Sequence, residues 1–361
     1  MKNDSAKPPG IKEIAVALGV SIGTVDRALH NRSGVNEKTR SRVLAKAKEL
    51  AYRPNLAARN LKLNRRLRIG VFLPRQIASY FDLLRKGIQA SAADAHGLDL
   101  RLDFAEYPRI GKGDLELIES RLREGYDGLI LTPGKASQFV PLMKKIAARK
   151  IAAVFVGTDL PGAERLASIT IDSEVSGGLA AELFSCAIQR QATVAVITGD
   201  LDTQDHAEKL RGFAATLAMV APHLSLLPVV ETHERPEEAY DAMLKLLTKR
   251  PRVEGIYVNT ANSLPILRAL GERRLLGEIQ VITTDLYPEL APLIKSGKVL
   301  ASLYQRPVTQ GKTALETLTR YLVQNIAPRE STKLAPHIVL RSNLSLFSAG
   351  LTETEEESLK I

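Results

Sequence analysis

Near the start of the chain apolar residues recur at helical spacing. Ile11, Ile14, Ala15 and Leu18 fall on one face, which predicts an amphipathic helix. Gly19 and Val20 make a tight corner, and Ser21 caps a second helix that runs to about Leu29 with Val25 and Leu29 turned inward. HNRSG stops that helix. Asn36 then caps a third over residues 37–50, whose inner face is Val43, Ala47 and Leu50. Three short helices with few large residues make a small core, marginally stable by itself. Helix, tight turn, helix is also the geometry that lays a second helix into a major groove. A small helical domain for protein contacts has the same outline. Beyond it, Pro54 bars the preceding residue from helix and suits a helical start at Asn55. The segment to Leu61 spans under two turns, too short to persist in water without DNA or a second copy to fold against. Leu61 would then be an exposed apolar wedge suited to the minor groove.

From Ile69 the pattern changes. Short apolar runs (RLRIGVFLP, YDGLILTP, IAAVFVGTD) alternate with amphipathic stretches such as SYFDLLRKGIQASAADAHG and FVPLMKKIAARK. The alternation predicts a parallel sheet covered by helices on both sides. It restarts at EVSGGLAAELFSCAIQR and continues through TVAVITGD, KLRGFAATLAMV, SLLPVVETH, VEGIYVN and IQVITTD to ALETLTRYLVQNI. Two such units, separated near residues 160–175, predict two lobes around a cleft. Asp159, Asp200, Asn259 and Asp285 stand at strand carboxyl ends, where open α/β sheets bind ligands.

Charge sharpens this division. Residues 1–68 hold 16 Lys or Arg against 5 Asp or Glu, and the remaining 293 hold 34 against 35. The whole basic excess sits in the small helical head, as expected of a module for a polyanion attached to a nearly neutral body. A basic tail on a soluble enzyme would show the same imbalance. No run of 18 apolar residues predicts a membrane span, and MKNDSAKPPG lacks the apolar stretch of a secretory signal. A cytoplasmic protein is expected. Cys186 is the single cysteine, which precludes an intrachain disulfide; on a helix, it is expected to be a small buried hydrophobe.

An enzyme has candidates in Asp172, Asp200, Asp285 and His206. Yet the chain has no GxGxxG after its first strand, no GxxxxGK[ST], no HExxH and no GxSxG, and GKGD at 111–114 falls short of a phosphate loop. The six histidines are scattered, with no grouping at metal-ligand spacing. Neither cofactor nor metal is expected. Several Asp and Asn groups beside a Lys or Arg suit a sugar or polyol better than proton transfer.

IKEIAVALGVSIGTVDRALHNRSGVNEKTRSRVLAKAKELAYRPN, together with YDGLILTP, VITTD, LYQRPVTQGKTALETL and LRSN at 340–343, closely resembles the lac-repressor-type (LacI/GalR) family of bacterial transcription regulators, from about residue 11 to 345. The resemblance implies a multidomain chain: a small all-α helix-turn-helix DNA-binding domain, then a two-lobe α/β body like a periplasmic binding protein, with parallel sheets flanked by helices. It implies a disordered tail at 1–9, a helix-turn-helix domain at 10–53, a hinge helix and linker at 54–68, and an effector-binding and dimerisation body at 69–345 with a tail at 346–361. The first lobe would comprise about 69–166 and 301–329, the second about 167–300 and 330–345.

By the same resemblance Ile22, Gly23 and Arg27 face base edges, with Arg27 suited to guanine O6 and N7. Ser21, Thr24 and His30 lie at the phosphate backbone, and Asn55, Ala58 and Leu61 belong to the hinge helix. Asp26 stands where the family usually has Ser, and His30 where it has Asn. In the cleft the implied effector contacts are Tyr80, Phe81, Asp172, Lys209, Asn259, Asp285 and Gln305. Lys209 replaces the family's Arg, a flexible point charge for a two-pronged fork, and Asn259-Thr260 replaces Asn-Asp. The implied partners are a near-palindromic double-stranded operator, a small effector (sugar, inositol-like polyol or sugar phosphate) and a second copy of the chain. With no leucine-heptad tail after the body, a dimer is expected over a tetramer. A solute-binding module for transport or sensing is the main alternative, opposed by the basic head and the missing signal.

Overall fold

The computed structural model describes residues 10–29, 33–50, 66–248 and 252–347. The head and the body, which begins at residue 66, are separate units. His30, Asn55, Ala58 and Leu61 lie outside the described residues, as do the N-terminal tail and the expected hinge helix.

In the head, α1 (Ile11–Leu18) ends at Gly19, whose φ of 63° is left-handed and favours glycine. The second helix, α2 (Ile22–Leu29), and the third, α3 (Glu37–Glu49), follow. The caps are those expected: Thr24 N donates to Ser21 Oγ at 3.0 Å and Thr39 N to Asn36 Oδ1 at 2.8 Å. Ile14, Ala15, Val25, Ala28 and Val43 form the buried centre. It contains no aromatic residue, so the head has little apolar area with which to hold itself folded.

The body has two sheets. In the first lobe, β1 (Leu67–Pro74) lies between β2 (Leu100–Tyr107) and β3 (Gly128–Leu131), and β4 (Ala152–Val156), β5 (Ala167–Ile171) and β12 (Ser331–Leu334) continue the sheet, every pairing parallel. Along β1, Ile69, Val71 and Leu73 enter the core beneath α4 (Ala78–Asp94) and α12 (Pro307–Gln324). Phe72 enters the opposite core, with Phe139 and Met143 of α6 (Ala136–Ala148) and Ile118 of α5 (Asp114–Arg121). A strand covered on both faces reads as a continuous apolar run, which is why β1 stands out in the sequence.

The second lobe is built on β6 (Ala192–Thr198), β7 (Leu224–Leu226), β8 (Val230–Glu231), β9 (Val253–Val258), β10 (Gln280–Thr284), β11 (Ala301–Tyr304) and β13 (His337–Val339). All pair in parallel except β11 with β13. One face carries α7 (Ser173–Ala187) and α8 (Gln204–Val220), the other α9 (Pro236–Leu247) and α10 (Leu264–Glu272); α11 (Ala291–Lys295) is short.

In each lobe two helices cross through glycines. A Cβ on Gly87 of α4 would lie 2.1 Å from Val308 O, and one on Gly311 of α12 2.2 Å from Leu84 O. A Cβ on Gly177 of α7 would lie 1.9 Å from Lys209 O, and one on Gly212 of α8 2.0 Å from Glu174 O.

Several expectations are corrected. The lobe boundaries shift, because β5 at 167–171 and β12 at 331–334 pair in the first sheet and β11 at 301–304 in the second. The chain therefore crosses between lobes at about 172, 305 and 335. The run at 225–233 is two strands, because Pro228 between them has no N–H to donate to the ladder. Cys186 is exposed on α7. Phe347, beyond the expected start of the tail at 346, packs on the body, its ring 5.8 Å from those of Tyr304 and His337.

Candidate functional site

Two faces of the molecule carry the residues of interest. On α2, Val25 and Ala28 are buried while Ser21, Ile22, Gly23 and Arg27 are exposed and Thr24 and Asp26 half-buried. Ser21 Oγ and Thr24 Oγ1 are hydrogen-bonded at 2.8 Å, so the two hydroxyls fix the first turn. A Cβ on Gly23 would meet nothing nearer than Ser21 Oγ at 3.8 Å. Packing within the head does not require glycine there.

The second face is the cleft between the lobes, a cavity of about 730 Å³ at the carboxyl ends of both sheets. Tyr80 and Phe81 of α4 line it, their rings edge to face at 4.9 Å. Loops after the strands of both lobes bring in Lys135, Asp159, Asp200, Asp202 and Glu234, and Asp205, His206 and Lys209 project from the first turns of α8.

Lys209 is 1% exposed. Its ammonium donates to Asp205 Oδ2 at 2.7 Å, Gln305 Oε1 at 2.8 Å and Asn259 O at 3.4 Å, which uses all three protons. Asp205 Oδ1 accepts from Ser173 Oγ at 2.6 Å. Burial acts to raise the Asp205 carboxyl, but the Lys209 and His206 charges and the Lys209 and Ser173 hydrogen bonds outweigh it and hold the group below its ordinary value. Asp285 differs. It accepts from Gln305 N at 3.0 Å and Gln305 Nε2 at 2.6 Å, yet burial pushes it up to about 6 against those bonds. Gln310 Nε2 donates to Gln305 O at 2.8 Å, while Gln310 Oε1 accepts from Tyr80 OH at 3.1 Å and Gly157 N at 3.2 Å. One hydrogen-bonded chain thus joins both lobes under the cavity.

At the mouth, Lys135 Nζ of the first lobe donates to Asp202 Oδ2 of the second at 3.0 Å, and the Gln76 amide donates to the Glu234 carbonyl. Glu234 Oε1 accepts from Thr260 Oγ1 at 2.5 Å and lies 3.3 Å from His206 Nε2, whereas its Oε2 is buried with no partner among the described residues. Ile77, His233, Glu234, Asp285 and Arg306 all hold left-handed backbone at or beside the cleft. Such strain is retained where the surrounding fold enforces it, commonly at ligand sites.

Of the seven expected effector residues, Tyr80, Phe81, Lys209 and Gln305 line the cavity. Asn259 and Asp285 stand behind them, reaching it through Lys209 and Gln305. Asp172 does not line it; as the N-cap of α7 its carboxylate accepts from Val175 N at 3.2 Å. Asp159 and Asp200, placed at strand ends by the sequence, do line it. Asp205, Glu234, Lys135 and Asp202 are lining residues that the pattern did not single out. The fold also gathers Asp200, Glu231 and His233, with possible ligand atoms within 4.8 Å of one another, where no metal-ligand spacing was legible. Two of these clamp the turn: Glu231 Oε2 accepts from Leu201 N and Asp200 Oδ1 from Asp202 N. No helix among the described residues is long and apolar enough to cross a membrane.

Two segments of the chain match known protein families. Residues 10–55 match the model for bacterial regulatory proteins of the lacI family, and residues 69–325 that for the periplasmic binding protein domain. Catabolite control protein A of Priestia megaterium is 24% identical over 338 residues, covering 92% of this chain and 98% of that one. The ribose operon repressor of Escherichia coli (strain K12) is 25% identical over 338 residues, covering 92% and 99%. Among solved structures, GanP, a glucose-galactose binding protein from Geobacillus stearothermophilus, superimposes with a TM-score of 0.70 at 22% identity, over 78% of this chain and 99% of its own. The chain belongs to the periplasmic binding protein domain family through its body and carries at its N-terminus a helix-turn-helix domain of the lacI family of bacterial regulatory proteins.

Proposed function

We propose that this protein is a cytoplasmic repressor that binds a near-palindromic operator as a homodimer and is controlled by a neutral sugar or polyol in the interlobe cleft. The coexistence of the exposed reading face of α2 with a polar cavity at two sets of strand ends carries this reading. A transport module needs only the second of these. Two copies bring two heads to one duplex, and the basic excess of the head supplies phosphate contacts.

The balance of charges supports a neutral ligand. Lys209 has no proton left for a ligand, and Lys135 is held by Asp202. Asp200 and Glu234 face histidines rather than fixed cations. A phosphorylated sugar would depend on Arg109 and on Arg235, which is already paired with Glu238, whereas hydroxyl groups can donate to the carboxylates. Glucose and galactose, named for the structural neighbour GanP, are of this class.

Thermal unfolding of the purified protein against a panel of neutral sugars, polyols and sugar phosphates tests the effector. A neutral compound is expected to raise the midpoint and to change retention of a genomic DNA fragment. Stabilisation by sugar phosphates alone would refute the neutral class. Failure to retain any genomic fragment over competitor DNA would refute the repressor.

A further inference from the structure

We infer that Ile22 reads the 5-methyl group of a thymine in each operator half-site. This rests on the DNA-regulator reading above and adds to it the chemistry of one base contact.

The starting observation is an isoleucine that the fold does not use. Ile22 is 49% exposed and belongs neither to the buried centre of the head nor to the half-buried residues packed on it, which include Ile11, Leu18, Val20 and Leu29. It opens α2, the second helix of the helix-turn-helix, and in that motif the N-terminal residues of the second helix reach base edges. Its neighbours leave it little competition. Ser21 and Thr24 commit their hydroxyls to each other and to the cap, and Gly23 has no side chain. The first turn therefore offers the groove an aliphatic group flanked by committed polar atoms. Among the groups that base pairs display in the major groove, the thymine methyl is the apolar one. Arg27 lies five residues on, a rise of about 7.5 Å along the helix, so a thymine contact and an arginine contact fit within one half-site.

The test uses the full-length protein and an operator selected from random duplexes. Each thymine of the selected site is replaced in turn by deoxyuridine, which removes the methyl and keeps the base pair, and affinity is read by fluorescence anisotropy at fixed salt. One thymine per half-site is expected to show a loss of about fourfold, the worth of one buried methyl-sized group. Ile22→Ala should still bind, with the thymine and deoxyuridine duplexes now equal, while Ile22→Val keeps part of the difference. A half-site indifferent to every thymine methyl, or an Ile22→Ala protein with the wild-type ratio, overturns the assignment and leaves the regulator reading standing. A protein that selects no duplex overturns both.

Discussion

Lys209 and Asp205 illustrate how one buried charge depends on another. The pair sits at i,i+4 on α8, with side chains 1% and 10% exposed. Removing one partner leaves a carboxylate with Ser173 as its remaining side-chain donor. Lys209→Ala is therefore expected to cost on the order of 3–5 kcal/mol, read as a lower urea midpoint for the body. Asp285 behaves oppositely with pH. Its folded value of about 6 lies above the ordinary 3.8, so between those values the folded protein holds a proton that the unfolded chain has lost. Stability from this group is present below about pH 4 and falls as pH rises to about 6. Calorimetry of the wild type and Asp285→Asn at pH 4.5 and 6.5 should show that decline shrinking in the variant; equal declines would reject it.

The helix crossings give element-scale predictions. Gly177 and Gly178 are neighbours on α7, but a Cβ on Gly177 meets the Lys209 carbonyl at 1.9 Å, whereas one on Gly178 meets the Thr216 side-chain oxygen at 3.0 Å. A backbone oxygen moves only with its helix. Gly177→Ala should therefore lower the thermal midpoint clearly more than Gly178→Ala, by a stability difference of about 1–3 kcal/mol, and should weaken effector binding as well because it displaces Lys209. The elements differ in how plainly the sequence announces them. β1 and β10 are buried runs and stand out, as does the amphipathic period of α1. β11, β12 and β13 are only three or four residues long, and β12 alternates between exposed and half-buried at the sheet edge. Such segments are strands because a neighbouring strand pairs with them. Resemblance marked Lys209, Gln305, Tyr80 and Phe81 in the cleft, but Glu234 and Asp202 sit on loops without periodicity. Only the folded loops bring them to the cavity.

For the whole molecule, the separation of charge has a direct consequence. The basic excess lies before residue 69, and the rest of the chain is close to neutral. Duplex affinity should fall steeply with salt through counterion release, while affinity for a neutral effector should hardly change. Parallel titrations at 50 and 200 mM salt would show this; matching salt slopes would contradict the assignment of the two functions to head and body.

The path of the chain between the lobes also governs how the body is made. The first sheet is completed by β12, and the α4 face of its core is covered by α12, yet both are encoded after nearly the whole second lobe. About 160 residues separate the end of β5 from the start of β12. At the usual pace of synthesis, on the order of ten residues per second, the nascent first lobe waits well over ten seconds with an unpaired strand edge and a bare apolar face. Such edges and faces invite aggregation, so the yield of folded protein in the cell should depend on what shields the chain during that interval.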